Sequence, residues 1–227
     1  MARPRLLDLF CKEGGAGKGY HDAGFDVVGV DIKPQPRYPY EFVQGDAVEY
    51  LAAHGHEFDA IHASPPCQAH SALARSNPHT YADFIPQTRA LLEQFGKPWV
   101  IENVEGAPLV NPITLCGSMF ALGTDQYELR RHRLFESNLP LPQMPCRHSD
   151  RPVIGVYGGK ARLRRRTPHW GTNLPKADGE RAMGIDWMTI AGLSEAIPPA
   201  YAEWIGGHLL DALRPEQLDL FEFVAAA

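Results

Sequence analysis

Residues 5–19 read RLLDLFCKEGGAGKG, and this stretch decides the fold. A short apolar run, Arg5 to Phe10, passes an acid and enters a glycine-rich turn, the pattern of a first strand feeding a tight loop and then a helix. A Rossmann-like start follows from it. Working outward, FDVVGVD (Phe25 to Asp31), EFVQGD (Glu41 to Asp46), FDAIHASPP (Phe58 to Pro66) and PWVIENV (Pro98 to Val104) are further strand-like runs. Helix-like composition over Ala16 to Gly24, Ala47 to His54 and Tyr81 to Phe95 separates them. Alternating strands and helices predict an α/β fold with a doubly wound, mostly parallel sheet, whose ligands gather beyond the carboxyl ends of the strands.

After Val104 the alternation weakens. NPITLCGSMF and LRRHRLFES read as further strands, and Asn138 to Gly192 is rich in Pro, Gly, Arg and His without a sustained period, which predicts an irregular insert. Order returns in IPPAYAEWIGGHLLDAL, where Pro198 and Pro199 start a helix with Ile205, Leu209 and Leu213 at helical spacing. The expected organisation is a catalytic and cofactor-binding domain at 1–137, a small recognition insert at 138–190, a returning helix at 191–214 and a frayed tail at 215–227.

The 227 residues, 44% hydrophobic and 22% charged, suffice for one such domain and a small appendage. No apolar run is long enough to span a bilayer, and Asp8 interrupts the start before a signal-type segment can form, so a cytoplasmic protein without membrane contact is expected. A monomer is expected as well. Cys11, Cys67, Cys116 and Cys146 are scattered without a CxxC pair, which points to free thiols and to no metal. The net charge of -5 rules out a generally cationic coat. Lys160, Arg162, Arg164, Arg165 and Arg166 nevertheless concentrate positive charge beside His169 and Trp170, as a local nucleic-acid contact requires.

Chemistry clusters at the strand ends. Asp31 closes the second strand, where an acid can accept from ribose hydroxyls, and Asp46 closes the third, where another can meet an adenine amino group. Each also suits a turn or helix N-cap. In SPPCQ (Ser64 to Gln68) two prolines set the backbone just past a strand and present a thiol at the ligand-binding end of the sheet. ENV (Glu102 to Val104) brings a carboxylic acid beyond the neighbouring strand. Cysteine with glutamate, without a suitable His pair, fits attack on a ring carbon with protonation of a ring nitrogen better than it fits proteolysis.

DLFCKEGG, GVD, QGD, SPPCQAHS, IENV, LCGSMFALG, LRRHRLF and IPPAYAEWIG, in this order, resemble the motif set of the DNA cytosine-5 methyltransferase family, especially its short bacteriophage-type members. The resemblance implies a class I methyltransferase fold, S-adenosylmethionine as cofactor and double-stranded DNA as partner. It matches Phe10, Cys11, Lys12, Gly14 and Gly15 to the cofactor loop, Asp31 and Ile32 to the ribose end, and Asp46, Ala47 and Pro65 to the remaining cofactor contacts. It makes Cys67 the nucleophile and Glu102 the acid at cytosine N3. Arg133 then holds O2 of the target base, Arg131 holds Glu102 or a phosphate, and Gln68, Ser71 and the arginine cluster meet DNA.

Three departures stand out. Lys12-Glu13 replaces the family's Gly-Ala, Leu129 stands where Gln is common, and Ser194-Glu195 stands where Gly-Asn often occurs. Lys12 opens a second reading, in which its ammonium meets the extra carboxylate of a carboxy-S-adenosylmethionine and carboxymethylcytosine is made; pairing with Glu13 would cancel that field. A tRNA cytosine as substrate and a catalytically silent DNA-binding relative also stay open.

Overall fold

A computed structural model describes residues 2–67, 82–164 and 170–214. Among the described residues, eleven strands form two sheets. The larger has the order β3-β2-β1-β4-β5-β8-β6, built from β1 (Arg5–Leu9), β2 (Asp26–Asp31), β3 (Glu41–Gln44), β4 (Ala60–Ala63), β5 (Trp99–Asn103), β6 (Ile113–Leu115) and β8 (Arg133–Ser137). Strands β1 to β5 run parallel, and β8 lies antiparallel between β5 and β6.

Successive side chains of a strand point to opposite faces, so near-continuous apolar strands build two cores at once. Leu6 joins Tyr20, Phe25, Tyr201 and Ile205 on one face, while Leu7 and Leu9 join Leu51, Phe58, Leu92 and Trp99 on the other. The first face is covered by α1 (Gly15–Ala23) and α6 (Pro199–Ala212), the second by α2 (Ala47–His54) and α3 (Ile85–Phe95). Helices α1 and α6 touch backbone to backbone. A Cβ at Gly19 would stand 2.1 Å from the Pro199 carbonyl oxygen, so any larger residue there separates the returning helix from the sheet. Helix α3 starts at Ile85, later than its composition predicts, because the Asp83 carboxylate takes the Ile85 N–H at 3.0 Å and turns the chain into the helix there.

Among the described residues, the stretch expected to be an irregular insert carries regular elements from Val153 onward. Strands β9 (Val153–Tyr157), β10 (Lys160–Arg164) and β11 (Trp170–Leu174) form the second sheet with β7 (Glu128–Leu129), and α4 (Lys176–Met183) and α5 (Ile190–Glu195) pack on it. Its strands are five residues or shorter, and its core draws only Ile154, Val156 and Ala161 from β9 and β10, too few to show a period in the sequence. The overlooked signal is Gly158-Gly159. Both have positive φ (59° and 70°) and Tyr157 pairs with Lys160, which makes a two-residue hairpin of the kind that demands such residues. LRRHRLFES is likewise two strands. Its first residue belongs to β7 of the small sheet and Arg133–Ser137 to β8 of the large one, so Arg130 to His132 bridge the two.

Among the described residues, no helix is long and apolar enough to cross a membrane.

Candidate active site

The carboxyl ends of the parallel strands and the inner edge of the small sheet enclose a cleft of about 1950 Å³. Phe10, Cys11, Lys12, Gly15, Asp31, Ile32, Asp46, Ala47, Pro65, Cys67, Glu102, Arg131, Arg133 and Arg162 all line it. Gly14 does not; it begins α1 behind the loop, tight against Tyr38 and Pro39. Gln68, Ser71, Arg165 and Arg166 lie outside the described residues.

The half expected to take the cofactor is built by backbone geometry. Phe10 and Lys12 take left-handed φ values of 58° and 49°, an uncommon conformation that surrounding contacts must hold. Asp31 supplies one: its carboxylate accepts from Lys12 N–H at 3.2 Å and Lys33 N–H at 3.0 Å. Next to it Ile32 is 65% exposed, an apolar surface facing the cleft where a planar base can stack. Asp46 caps α2, accepting from Val48 and Glu49 N–H at 2.8 and 3.0 Å, and still faces the cleft. A nucleoside fits this arrangement: an acid with capacity left at a strand end, an apolar face beside it and a second acid beyond.

Asp8 lies buried beneath the loop and accepts a hydrogen bond from the Tyr38 hydroxyl at 3.1 Å. Burial, partly offset by Tyr38, pushes its carboxyl up to about 7 from an ordinary 3.8. Between those values the folded chain holds a proton that the unfolded chain has released. This group's stability contribution is therefore complete below about pH 4 and is lost as pH rises towards 7. Asp8→Asn is expected to stabilise the protein at about pH 8, by up to roughly 4 kcal/mol, with the gain shrinking towards pH 4. Chemical denaturation of both proteins at about pH 5 and about pH 8 checks this; a gain that fails to grow with pH refutes the assignment.

The other half centres on Cys67 and Glu102. Asn103, buried in β5, donates to the Pro65 carbonyl at 2.9 Å and so ties the SPPC turn to the strand that carries Glu102. Glu102 is itself buried, with Arg133 Nε 3.2 Å from its carboxylate. Burial raises the Glu102 carboxyl, while Arg133 and a hydrogen bond from Ser64 oppose the rise. Burial also raises the Cys67 thiol, the Glu102 charge raises it further and Arg133 pulls it down. Cys11, more deeply buried and near Asp8, is pushed far up and held as a neutral thiol.

Behind Glu102 stands a connection that sequence reasoning missed. Ser64 Oγ lies 2.8 Å from His62 Nε2, and His62 Nδ1 lies 2.9 Å from the Tyr20 hydroxyl. Burial lowers the His62 imidazole to about 3, so it stays neutral at working pH and orients Ser64. The available signal was a lone histidine inside an otherwise apolar strand, two residues before a serine.

Two arginine assignments change. Arg131 is expected at Glu102 or a phosphate, but it is only 2% exposed and donates to the carbonyls of Val156 at 2.8 Å and Ser194 at 2.7 Å. It clamps β9 and α5 together from inside, and Arg133 is the residue at Glu102. The arginine cluster begins as strand β10, where Lys160 and Arg162 share a face by alternation. Arg162 turns into the cleft with its Nε buried and unpartnered among the described residues; Lys160 is exposed.

The departures around Lys12 also resolve. Lys12 Nζ lies 3.3 Å from the Glu195 carboxylate, and Glu13 points elsewhere, accepting from Thr189 N–H and Oγ1, both at 2.6 Å. The Trp187 indole donates to the Glu13 carbonyl at 2.8 Å. Lys12 already has its counter-charge, and nothing in this geometry supports a carboxylated cofactor.

Nor are the cysteines all scattered. Cys116, Cys146, His132 and His148 converge, a grouping the sequence reading did not foresee, and all four cysteines are free thiols as expected.

No family model matches the chain. It is 32% identical over 127 residues to the type II methyltransferase M.XorII of Xanthomonas oryzae pv. oryzae, a match covering 47% of this chain and 29% of that protein. It thus spans less than a third of that relative. Two solved structures share the fold over nearly the whole chain. One is described as a DNA modification methyltransferase encoded within an E. coli prophage, with a TM-score of 0.61, 16% identity and coverage of 92% of this chain and 99% of that one. The other is the S. pombe Dnmt2 methyltransferase, with a TM-score of 0.62, 12% identity and coverage of 93% and 99%.

Proposed function

We propose, on the premise that the chain belongs to the DNA cytosine methyltransferase family, that it methylates C5 of cytosine in DNA through a covalent Cys67 adduct. One observation carries this reading: Cys67 and a buried, Arg133-paired Glu102 share one wall of a cleft whose other half fits a nucleoside. S-adenosylmethionine would be held by Phe10, Asp31, Ile32 and Asp46 and would supply a methyl group as a sulfonium electrophile.

Cytosine C5 is too weak a nucleophile to take that methyl group unaided. Cys67 therefore adds to C6 as thiolate while Glu102, a carboxylate in the free enzyme that takes up the thiol's proton, passes that proton to N3, leaving C5 enamine-like. Arg133 neutralises the carboxylate that results and steadies it for the reverse transfer. After methylation the C5 proton leaves to solvent, N3 returns its proton, and the C6–S bond breaks to release Cys67. A stacked base is out of reach of Cys67, so the target cytosine must swing out of the duplex. Arg162, facing the cleft, and Lys160 beside it supply phosphate contacts.

Nucleoside mass spectrometry of DNA from cells expressing the protein tests the reading. The expected product is 5-methylcytosine. An N-methylated base, or methylation confined to tRNA, overturns it, and unmodified nucleic acid points to a silent relative.

A further inference from the structure

We infer that Cys116, His132, Cys146 and His148 form a structural zinc site that braces the reacting wall of the cleft. Each offers one ligand atom, and the four atoms lie within 4.8 Å of one another. Cys116 Sγ is 3.3 Å from His148 Nε2, and Cys146 Sγ is 3.4 Å from His132 Nε2. A tetrahedral zinc with Zn–S near 2.3 Å and Zn–N near 2.0–2.1 Å sets S···N edges of roughly 3.6 Å. The cluster therefore needs only a small outward shift to accept the ion.

The donor set selects the metal. Two thiolates and two imidazoles in a compact tetrahedron suit zinc, whereas magnesium, calcium and manganese prefer oxygen. Binding releases two thiol protons and leaves both cysteines as thiolates. Four protein ligands fill a tetrahedron, so no position is left for water or substrate and the ion is structural.

A supporting shell is present. Ser118 Oγ lies 3.2 Å from Cys116 Sγ and accepts the Arg147 N–H at 3.1 Å, which leaves the serine hydroxyl proton to point at the sulfur.

The ligands come from three separate segments: Cys116 just after β6, His132 between β7 and β8, and Cys146 with His148 ahead of β9. These segments carry no regular structure at the ligand positions. His132 sits between Arg131 and Arg133, and its carbonyl accepts the Arg133 Nη1 hydrogen bond at 2.8 Å. An ion holding the His132 ring thus fixes the backbone from which Arg133 reaches Glu102.

The test uses the full chain, stripped of metal and kept under a phosphine reductant. Titration with cobalt(II) is expected to give one equivalent of tetrahedral ligand-field bands with thiolate-to-cobalt charge transfer, displaced by one equivalent of zinc. Cys146→Ser and His148→Ala, both at exposed positions, should each weaken binding more than about 100-fold, beyond the loss of an outer-shell contact. Cys67→Ser should keep full stoichiometry, which separates this site from the reactive thiol. Zinc should also raise the melting temperature of the wild type and not that of His148→Ala. The inference is overturned by octahedral or absent cobalt bands, by unchanged binding in either variant, or by a Cys116–Cys146 disulfide that survives the reductant. None of these readouts depends on methyl transfer.

Discussion

Cys67→Ser is expected to lose turnover by more than about 10⁴-fold while its cofactor affinity and melting temperature stay close to those of the wild type. A nucleophile's removal is costly because the remaining groups stabilise a transition state that can no longer form. Serine cannot substitute, since its hydroxyl is far harder to ionise than a thiol, and the same burial that raises the Cys67 thiol would raise it further. Cys11 offers no bypass, because it is held as a neutral thiol at the foot of the cofactor loop. The complementary measurement is trapping. DNA containing 5-fluorocytosine presents a C5 substituent that cannot leave as a proton, so the wild type with S-adenosylmethionine should accumulate a covalent adduct stable to denaturant. Cys67→Ser should form none. Appreciable methylation by the serine variant, or no adduct with the wild type, sinks the nucleophile assignment.

The parts of the site legible in sequence are those fixed by one strand and the turn beyond it. Each parallel strand delivers its last residues to the same edge, so RLLDLF with its glycine loop, GVD, QGD, SPPC and IEN could be placed in one cleft without knowing any pairing. Contacts across distant segments stayed hidden. Arg131 and Arg133 are alike by position, but the chain crosses from one sheet to the other between them, which buries Arg131 against Val156 and Ser194 and leaves Arg133 at Glu102. The meeting of Cys116 and Cys146 stayed hidden for the same reason: they come together because β6 and the segment before β9 flank the same crossing.

The departures at Lys12-Glu13 and Ser194-Glu195 teach a related point. Taken singly, each reads as an unexplained departure from the resemblance. Together they form one contact, with Lys12 against Glu195 and Glu13 against Thr189 at the start of α5. The exposed Lys12 pair contributes little by itself. Glu13 is different, since its carboxylate takes both the N–H and the hydroxyl of Thr189, the residue that caps α5. The effect is to tie the cofactor loop to the helix that Arg131 clamps to the small sheet.

The second large effect is expected at Glu102, where one substitution should move two rates in opposite directions. Glu102→Gln keeps the shape and the means to bond Ser64 but removes both the proton donor and the negative charge. Methylation should fall by about 10²- to 10⁴-fold, the usual range for a lost general acid. Alkylation of Cys67 by iodoacetamide should instead become faster at neutral pH. The Glu102 charge is the second cause, after burial, of the raised Cys67 thiol, and Arg133 opposes it. With glutamine in place, Arg133 has lost its counter-ion 3.2 Å away and acts on the thiol undiluted, so the thiolate fraction rises. A purely structural Glu102 would leave the two rates moving together, because a loosened site exposes or disorders both groups. Comparing single-turnover methylation with Cys67-specific alkylation, located by peptide mass spectrometry, decides the matter. Near-normal methylation, or alkylation slowed alongside it, would remove Glu102 from the proton transfer and leave it as a brace for Arg133.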